Sequence, residues 1–230
     1  RVGLGIKRQS EEILKKYHDY RKIIDEQMTR KLRDKQAWDS FFMYTMKKSA
    51  NFSVPGSGKT SSVYGVFSFL SYKGLVDKIV MIGPRSSFIS WKDEFYNCFY
   101  DKRELKLFNI QDYPNTRAKK NALLYEAAHK KNLLLFNYES LDSILEEVKN
   151  IIDDKTLLVF DEVHKVKNPN GKRAKNALKI SYNARYTIAL TGTPIPNSYL
   201  DIKNLLNILY HEEYNDFFGF GDAQLRIPSE

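Results

Sequence analysis

Apolar residues along the 230-residue chain cluster in short continuous runs, bounded by charged and turn-forming residues. Runs of this length predict β-strands, and because they do not alternate with polar residues, each strand is expected to be buried on both faces. Strands of this kind, separated by helices, are typical of a parallel sheet with helices on both faces. The five clearest runs are residues 78–83, 105–110, 133–137, 156–160 and 186–190.

The segments between these runs have the length and periodicity of crossover helices. They lie at about 86–99, 115–130, 140–152, 172–182 and 198–210. The alternation of strand and helix predicts a single large α/β domain with a mostly parallel sheet. In such a domain a ligand is expected at the carboxyl ends of the strands.

The first part of the chain carries a more polar helical pattern. Residues 6–31 place apolar side chains at helical spacing among many charges, which predicts an amphipathic helix. Three roles are open for it: packing on the core, continuing a preceding domain, or extending a nucleic-acid surface. A second helix is expected around Trp38, Phe41 and Phe42. Gln36 stands near its start, and its amide can both donate and accept hydrogen bonds, which suits the edge of adenine.

Composition narrows the class of protein. The sequence contains no run of 18 apolar residues and therefore predicts no transmembrane helix. Its basic N-terminus lacks the apolar stretch of a signal peptide. We therefore expect no membrane association and no secretion, and a location that is cytoplasmic or nucleoid-associated in a bacterium and nuclear in a eukaryote. The single cysteine, Cys98, excludes an internal disulfide and is expected to be a buried or half-buried apolar residue.

The balance of charge favours a polyanionic partner. The chain has 37 Lys and Arg against 28 Asp and Glu, a formal net charge of +9. Such an excess favours nucleic acid as a partner. The densest group of cations lies at 165–179, and both nucleic-acid contact and a solvated surface are open interpretations of it.

One stretch, Ser53–Thr60 with the sequence SVPGSGKT, has the chemistry of a phosphate-binding loop. A small apolar run at 51–54 predicts a strand before it, and residues 61–72 can form a helix after it. The stretch departs from the GxxxxGK[ST] pattern because Ser53 takes the first glycine position. A loop of this kind alone does not separate kinases, GTPases, transporters and helicases.

The residue types within this loop match the parts of a nucleoside triphosphate. Gly56 and Gly58 allow a turn tight enough for successive N–H groups to face inward and form a phosphate cradle at a helix N-terminus. Lys59 supplies a mobile positive charge for the outer phosphates, and the Thr60 hydroxyl suits a magnesium ion. The sequence therefore predicts a site for a triphosphate with Mg²⁺.

A second candidate site follows the predicted strand at 156–160, where the sequence continues DEVH. Combined with a phosphate loop, Asp161 can hold magnesium through water, and Glu162 can orient and deprotonate the attacking water. This pair favours hydrolysis of the triphosphate over transfer to a substrate hydroxyl. His164 is expected to bond to neighbouring loops, since Glu162 already supplies a base.

The predicted strand at 186–190 ends in the sequence ALTGTPIPNS. Thr191 and Thr193 flank a flexible glycine, and their hydroxyls can relay a change at the γ-phosphate to another surface. A simple tight turn into the next helix is the alternative interpretation of the same residues.

Taken together, PGSGKT, DEVH and TGTP resemble, in order and spacing, motifs I, II and III of the superfamily-two helicases. Further stretches, LRDKQ, IGPRSSFISWKDEF and FNYES, are similar to segments of the Swi/Snf-type DNA translocases, as are the residues that follow DEVH and TGTP. The resemblance covers about residues 32–210. It implies a RecA-like P-loop domain that uses ATP and Mg²⁺ and acts on double-stranded DNA through the phosphate backbone.

The resemblance also implies roles for individual residues. The catalytic residues would be Asp161 and Glu162, for metal binding and water activation, together with Lys59. The Mg²⁺ ligands would be Thr60 and Asp161. The residues that couple the ATP state to DNA would be Thr191 and Thr193. DNA-backbone contacts are implied for Ser86, Ser87, Asn137 and Tyr138. The implied nucleotide-binding residues are Gln36 for adenine, followed by Pro55, Gly56, Ser57, Gly58, Lys59 and Thr60.

Two departures accompany the resemblance. DEVH replaces the family's DEAH with one small apolar residue for another, which should preserve the metal site. FNYES, which includes Asn137 and Tyr138, lacks the usual threonines of the segment it resembles, so its role toward DNA is open.

Motors of this family need two RecA-like lobes, the second of which supplies arginines to the transferring phosphate. We expect an N-terminal helical extension at 1–31, the ATP-binding lobe at 32–215, and a tail at 216–230 that leads toward a second lobe outside this sequence. The expected function is that of the first lobe of an ATPase that moves along double-stranded DNA. The alternatives are a helicase that separates DNA or RNA strands and a non-hydrolysing, nucleotide-dependent interaction module.

Overall fold

The computed structural model describes residues 10–54, 56–127, 130–166, 171–192 and 200–210. Its centre is a six-stranded sheet in which all neighbouring strands are parallel. The spatial order is β1-β6-β5-β2-β4-β3. The strands are β1 (Lys48–Asn51), β2 (Lys78–Gly83), β3 (Leu107–Asn109), β4 (Leu133–Asn137), β5 (Thr156–Phe160) and β6 (Tyr186–Leu190).

Eight α-helices occur within these described ranges. They are α1 (Glu11–Gln27), α2 (Asp34–Met46), α3 (Lys59–Tyr72), α4 (Phe88–Phe99), α5 (Thr116–Ala122), α6 (Leu141–Ile151), α7 (Lys172–Ser181) and α8 (Leu200–Tyr210). In the part of the chain that the structure describes, no helix is long and apolar enough to cross a membrane.

The central strands confirm the sequence prediction. Every residue of β4, β5 and β6 is buried, as is every residue of β2 after Lys78. Helices therefore cover both faces of the sheet, which is why these four strands appear in the sequence as continuous apolar runs. Since all strands are parallel, their carboxyl ends meet at one edge, and the loops that carry the candidate site emerge there.

A strand precedes the phosphate loop, as predicted, but it lies earlier in the sequence than the apolar run that indicated it. The apolar run at 51–54 is not the strand; β1 ends at Asn51, and Phe52 and Val54 are exposed. Among the described residues, β1 pairs with β6 alone, at the edge of the sheet. Its buried positions alternate and are occupied by Ser49 and Asn51. A short edge strand with polar buried residues carries no apolar signal.

Two other predicted elements are shorter in the structure. The run at 105–110 contains only the three-residue β3, which forms the opposite edge of the sheet. The helix expected at 115–130 ends at Ala122 and continues as a π-helical turn, Leu123–Ala127. Both segments lie at the periphery, where tertiary packing constrains the backbone less.

Helix α1 packs on the core, one of the three roles left open by its sequence. Tyr17 stacks on Trp38 of α2 with ring centroids 4.0 Å apart. Tyr20 is 1% exposed, packs against Phe69 of α3, and shares a hydrogen bond with Ser40 of α2. The amphipathic pattern of α1 therefore marks a face that joins the hydrophobic core of the sheet domain.

Cys98 on α4 is buried, as predicted. Burial raises the pKa of its thiol well above the ordinary value, and the nearby Glu94 carboxylate adds to the effect. The thiol therefore stays protonated and packs as a small apolar group.

Candidate active site

A cleft of about 560 Å³ opens at the carboxyl edge of the sheet. It brings together the phosphate-loop residues, the two acidic residues that follow β5, and side chains from the start of α2 and from α4. The lining residues include Arg30, Arg33, Gln36, Gly56, Gly58, Lys59, Thr60, Ser61, Trp91, Glu94, Asp161 and Glu162.

The phosphate loop has the backbone that its glycines predict. Gly56 has a φ of +77° and Gly58 a φ of +84°, both in the left-handed region that favours glycine. Gly58 is the N-cap of α3, so the helix begins at Lys59 and directs its free N–H groups into the loop. Pro55 lies outside the described residues.

Lys59 is held over the loop by backbone carbonyls. Its Nζ donates to the carbonyl oxygen of Ser53 at 2.7 Å and to that of Val54 at 3.3 Å. Ser53 is not among the described residues with a positive φ, and Lys59 uses only its carbonyl. The departure from glycine at this position therefore leaves the lysine contact intact.

Gln36, near the start of α2, forms a hydrogen bond to the phosphate loop. Its Oε1 accepts from the backbone N–H of Arg33 at 3.0 Å, and its Nε2 donates to the Ser57 carbonyl at 3.1 Å. A Cβ on Gly58 would lie 2.0 Å from this Nε2, so the two segments are in close contact. The structure thus places Gln36 at the nucleotide loop, and its contact with adenine stays a prediction.

Asp161 lies at the end of β5 with both carboxylate oxygens bonded. Oδ1 accepts from the backbone N–H of Glu162 at 3.0 Å, and Oδ2 accepts from the indole Nε1–H of Trp91 at 3.0 Å. The residue is 8% exposed. The two hydrogen bonds fix the orientation of the carboxylate. Because each oxygen can accept more than one bond, the carboxylate can still bind a ligand in the cleft.

Glu162 adopts a strained backbone conformation. Its φ is +51°, which costs a residue with a side chain about 1–3 kcal/mol and persists only where the surroundings impose it. The side chain reaches His164, whose Nδ1 lies 3.2 Å from Oε2. Strain of this kind is concentrated at functional sites, which supports a role for this carboxylate in the cleft.

His164 connects the acidic loop to the loop after β6. Its Nδ1 lies 2.9 Å from the Thr191 hydroxyl, which confirms the expectation that it bonds to a neighbouring loop. Thr191 is buried, and its backbone N–H donates to the Asn51 carbonyl at 3.1 Å. A polar path therefore runs from Glu162 through His164 to Thr191; Thr193 lies outside the described residues.

The donor set at this edge suits a magnesium ion. Mg²⁺ prefers hard oxygen ligands and is usually held by one or two carboxylates together with phosphates and water. Asp161 offers a carboxylate and Thr60 a hydroxyl, and both line the same cleft. The described residues contain no cluster of three or more His, Cys, Asp or Glu side chains that could hold a metal.

The four residues predicted to touch DNA divide into two pairs. Ser86 is exposed and Ser87 is half-buried, with its hydroxyl donating to the Pro84 carbonyl at 2.9 Å. Asn137 is 0% and Tyr138 1% exposed. Their side chains present no exposed surface to a phosphate in this structure, so DNA contact by this second pair stays a prediction.

Asn137 and Tyr138 support the site from within. The Tyr138 hydroxyl donates to the Asp161 carbonyl at 2.8 Å. The Asn137 Oδ1 accepts from Gln111 and from Ser140, each at 2.6 Å. Tyr138 thus holds the backbone just after β5, and Asn137 joins the end of β4 to the side chains of Gln111 and Ser140.

Several residues of the cleft were not predicted. Glu94 on α4 accepts both from Arg30, at 2.8 and 2.9 Å, and from the Ser61 hydroxyl. Trp91, one turn earlier on α4, bonds to Asp161. In the sequence these residues have the spacing of an ordinary amphipathic helix, and only the resemblance of the SWKDEF stretch to a family segment singles them out.

Part of the basic cluster at 165–179 is paired within the protein. Arg173 lies 2.9 Å from Glu139, and Lys172 lies 3.4 Å from Asp142. A hydrogen bond from Asn137, helped by Arg173, holds the pKa of Glu139 below its ordinary value. These two cations are therefore engaged in surface ion pairs.

Comparison with known proteins gives consistent matches. The sequence model of a family described as "SNF2-related domain" matches residues 14–230. The chain is 27% identical over 169 residues to "Transcription regulatory protein SNF2" of Saccharomyces cerevisiae, covering 73% of this chain and 9% of that protein. It is 33% identical over 150 residues to "Uncharacterized ATP-dependent helicase MG018" of Mycoplasma genitalium, covering 64% of this chain and 13% of that protein.

Among solved structures, the chain resembles the "Sulfolobus solfataricus SWI2/SNF2 ATPase core in complex with dsDNA" with a TM-score of 0.67 and 24% identity. The match covers 81% of this chain and 37% of that chain. This likeness confirms the predicted RecA-like fold. The chain spans about a tenth of the length of the two curated relatives described above.

Proposed function

The chain belongs to the SNF2-related domain family, and from that premise we propose that it is the ATP-binding lobe of an ATPase that moves along double-stranded DNA. The observation that carries the proposal is the single cleft in which Lys59 and Thr60 of the phosphate loop face Asp161 and Glu162. These four residue types are the parts that P-loop hydrolases use to hold a triphosphate, its metal ion and the attacking water.

ATP binding uses the phosphate loop and the start of α2. The N–H groups of the loop and of the first turn of α3 receive the phosphates, and Lys59 exchanges its carbonyl partners, Ser53 and Val54, for phosphate oxygens. Gln36, already fixed against Ser57, presents its amide toward the base. ATP use by the family supports this assignment.

The acidic residues supply the chemistry. Thr60 and Asp161 would hold Mg²⁺, which when bound neutralises charge that develops on the phosphates. Glu162 accepts the proton of the attacking water, and His164 keeps the Glu162 carboxylate oriented through the contact at 3.2 Å.

The path from Glu162 through His164 to Thr191 gives the lobe a means of coupling hydrolysis to DNA. A change at the γ-phosphate shifts the Glu162 carboxylate, and His164 passes the shift to the loop after β6. We assign DNA-backbone contact to Ser86, which is exposed, and to Ser87, which is half-buried and also lines the cleft; both lie in the turn after β2. The solved relative with duplex DNA supports this choice of partner.

The proposed lobe spans residues 32–215, with α1 as an extension packed on it and residues 216–230 leading onward. A second RecA-like lobe, supplied by the longer parent protein, would add arginines to the same ATP site. The short coverage of the relatives supports this arrangement, since they contain far more chain than matches here.

Nucleotide binding by the 230-residue chain tests the first half of the proposal. A fluorescent ATP analogue with Mg²⁺ should bind the wild-type chain. Lys59→Ala should bind it about tenfold to a hundredfold more weakly, because a charge-assisted bond contributes about 1.5–3 kcal/mol. Glu162→Gln should retain binding, since its carboxylate acts on water. Equal affinity for wild type and Lys59→Ala would refute the site.

Hydrolysis tests the second half. The parent protein should hydrolyse ATP faster when double-stranded DNA is present, and this stimulation should fall steeply as the salt concentration rises. The Glu162→Gln change should abolish the hydrolysis. The isolated lobe should hydrolyse little. Strong DNA-stimulated turnover by the lobe alone would refute the need for a second lobe, and strand separation without duplex translocation would favour a helicase.

A further inference from the structure

Trp91 makes a buried contact with the candidate metal ligand that neither the motif pattern nor the family match assigns. Its indole Nε1–H donates to Oδ2 of Asp161 at 3.0 Å. Trp91 is 1% exposed and Asp161 8%. A hydrogen bond to a carboxylate in such surroundings is stronger than one in water, and its loss leaves a buried charge short of a partner.

Trp91 is also tied to the helix that carries the other candidate ligand. The Tyr64 hydroxyl of α3 donates to the Trp91 carbonyl at 2.6 Å, and the two rings pack edge to face with centroids 5.5 Å apart. Tyr64 lies one helical turn after Thr60. Trp91 therefore contacts both the helix that presents Thr60 and the carboxylate of Asp161.

The surroundings of Asp161 leave its carboxylate little freedom. Oδ1 accepts the N–H of Glu162, and Oδ2 accepts the indole of Trp91. On the other side, a Cβ on Gly83 would lie 2.9 Å from the Asp161 Cβ, so the strand backbone closes against it. Of these contacts, the indole bond is the side-chain contact that fixes the rotation of the carboxylate.

We propose that Trp91 is a positioning residue for the metal site, whose indole N–H orients Asp161 and sets its spacing from Thr60. The inference rests on the proposed function, since it concerns the same Mg²⁺–ATP site. Groups that orient a metal ligand typically contribute about tenfold to a hundredfold to metal affinity. We assign this orienting effect on the Asp161 carboxylate to the indole N–H of Trp91 and not to the volume of its aromatic ring.

Trp91→Phe separates these two contributions. Phenylalanine keeps an aromatic ring against Tyr64 and loses the N–H donor to Asp161. Trp38→Phe is the matched control, because Trp38 is the other of the two tryptophans and stacks on Tyr17 of α1, outside the cleft. Both variants remove the same atoms from a partly or fully buried tryptophan.

The measurement is the affinity for a fluorescent ATP analogue, taken in EDTA and again with Mn²⁺. Wild type and Trp38→Phe should bind more tightly with Mn²⁺. In Trp91→Phe this gain should fall by about tenfold to a hundredfold, with the affinity in EDTA unchanged. An undiminished gain overturns the role of Trp91. No gain from Mn²⁺ in wild type instead overturns the proposed metal site itself.

A second measurement works even where Trp91→Phe does not fold. In Trp38→Phe, Trp91 is the sole tryptophan, so the emission reports on it alone. Paramagnetic Mn²⁺ with the nucleotide should quench this emission, and Mg²⁺ with the nucleotide should not. The Asp161→Asn change in the same background should remove the quenching. Emission that Mn²⁺ leaves unchanged shows that Trp91 does not lie beside the metal and overturns the inference.

Discussion

Replacing Gly58 by alanine probes how closely the phosphate loop fits the start of α2. Gly58 has a φ of +84°, and a Cβ there would lie 2.0 Å from Nε2 of Gln36, far inside contact distance. Gln36 must therefore move. Gly74, in the turn after α3, provides a control: its φ is +67°, and a Cβ there would meet nothing within 4 Å.

The loss in free energy of unfolding that Gly58→Ala causes can be estimated from the backbone conformation and the hydrogen bonds involved. Alanine in a left-handed conformation costs about 1–2 kcal/mol, which applies to Gly58 and Gly74 alike. Displacing Gln36 also breaks its bonds to the Arg33 N–H and the Ser57 carbonyl, each worth about 1 kcal/mol. Gly58→Ala should therefore lower the free energy of unfolding by about 3–4 kcal/mol, and Gly74→Ala by about 1–2 kcal/mol.

The assay is urea and thermal unfolding of the 230-residue chain without nucleotide. For a domain of this size, the difference of about 2 kcal/mol between the two variants corresponds to about 4–8 °C in Tm. Circular dichroism follows the unfolding, and the midpoint in urea gives an independent value of the same difference.

A double-mutant cycle isolates the contact. Gln36→Ala removes the atoms that the new Cβ would meet, so Gly58→Ala should then cost only about the 1–2 kcal/mol of the left-handed backbone. The reasoning fails if Gly58→Ala costs the same with and without Gln36, or no more than Gly74→Ala. Either result would mean that Gln36 moves aside at no energetic cost.

Three further predictions concern contacts elsewhere in the lobe. Tyr138→Phe leaves the Asp161 carbonyl without its buried donor and should lower the free energy of unfolding by about 1–2 kcal/mol in urea; an unchanged midpoint would contradict the contact. Burial raises the pKa of Asp153, but bonds from Lys78 and Thr156 outweigh it, so the pKa lies below the ordinary value. Asp153→Asn should therefore destabilise the chain slightly at pH 7, by about 0.5 kcal/mol at this half-exposed site. The difference should shrink as pH falls below the ordinary pKa of about 3.9 and disappear only below the lowered pKa of the folded state, which unfolding measured in steps from pH 7 to about pH 2 checks. Trp38→Ala removes the aromatic stack between α1 and α2 and should lower Tm by several degrees, whereas Trp38→Phe should not.

The central strands of the sheet could be predicted from the sequence because a strand that is buried on both faces appears as a continuous run of apolar residues. The runs at 78–83, 133–137, 156–160 and 186–190 match the strands residue by residue. Each of these strands lies between two neighbours in the sheet, so its sequence records burial directly.

The edges of the sheet were not predictable in the same way. β1 is specified by its pairing with β6, far away in sequence, and its own residues carry no apolar run. Neighbouring Phe52 and Val54 form such a run and lie outside the sheet, exposed. Local pattern thus misleads where a distant partner decides the structure.

The candidate site shows the same division. Gly56, Gly58 and Lys59 sit in one local stretch whose chemistry can be recognised from residue type and order. The contact of Trp91 with Asp161 joins residues from α4 and the end of β5, and a tryptophan at helical spacing indicates only a buried face. Contacts between distant segments require coordinates.

The pairing of β1 with β6 also bears on how the lobe is synthesised. Lys48 pairs with Thr187, so most of the chain must leave the ribosome before the strand that precedes the phosphate loop can pair with β6. Closing so long an intervening segment slows folding, while β2, β4 and β5 can assemble earlier. The nucleotide loop, although it is made early, is therefore expected to be among the last parts to become ordered, and a nascent chain that ends before β6 should not bind ATP.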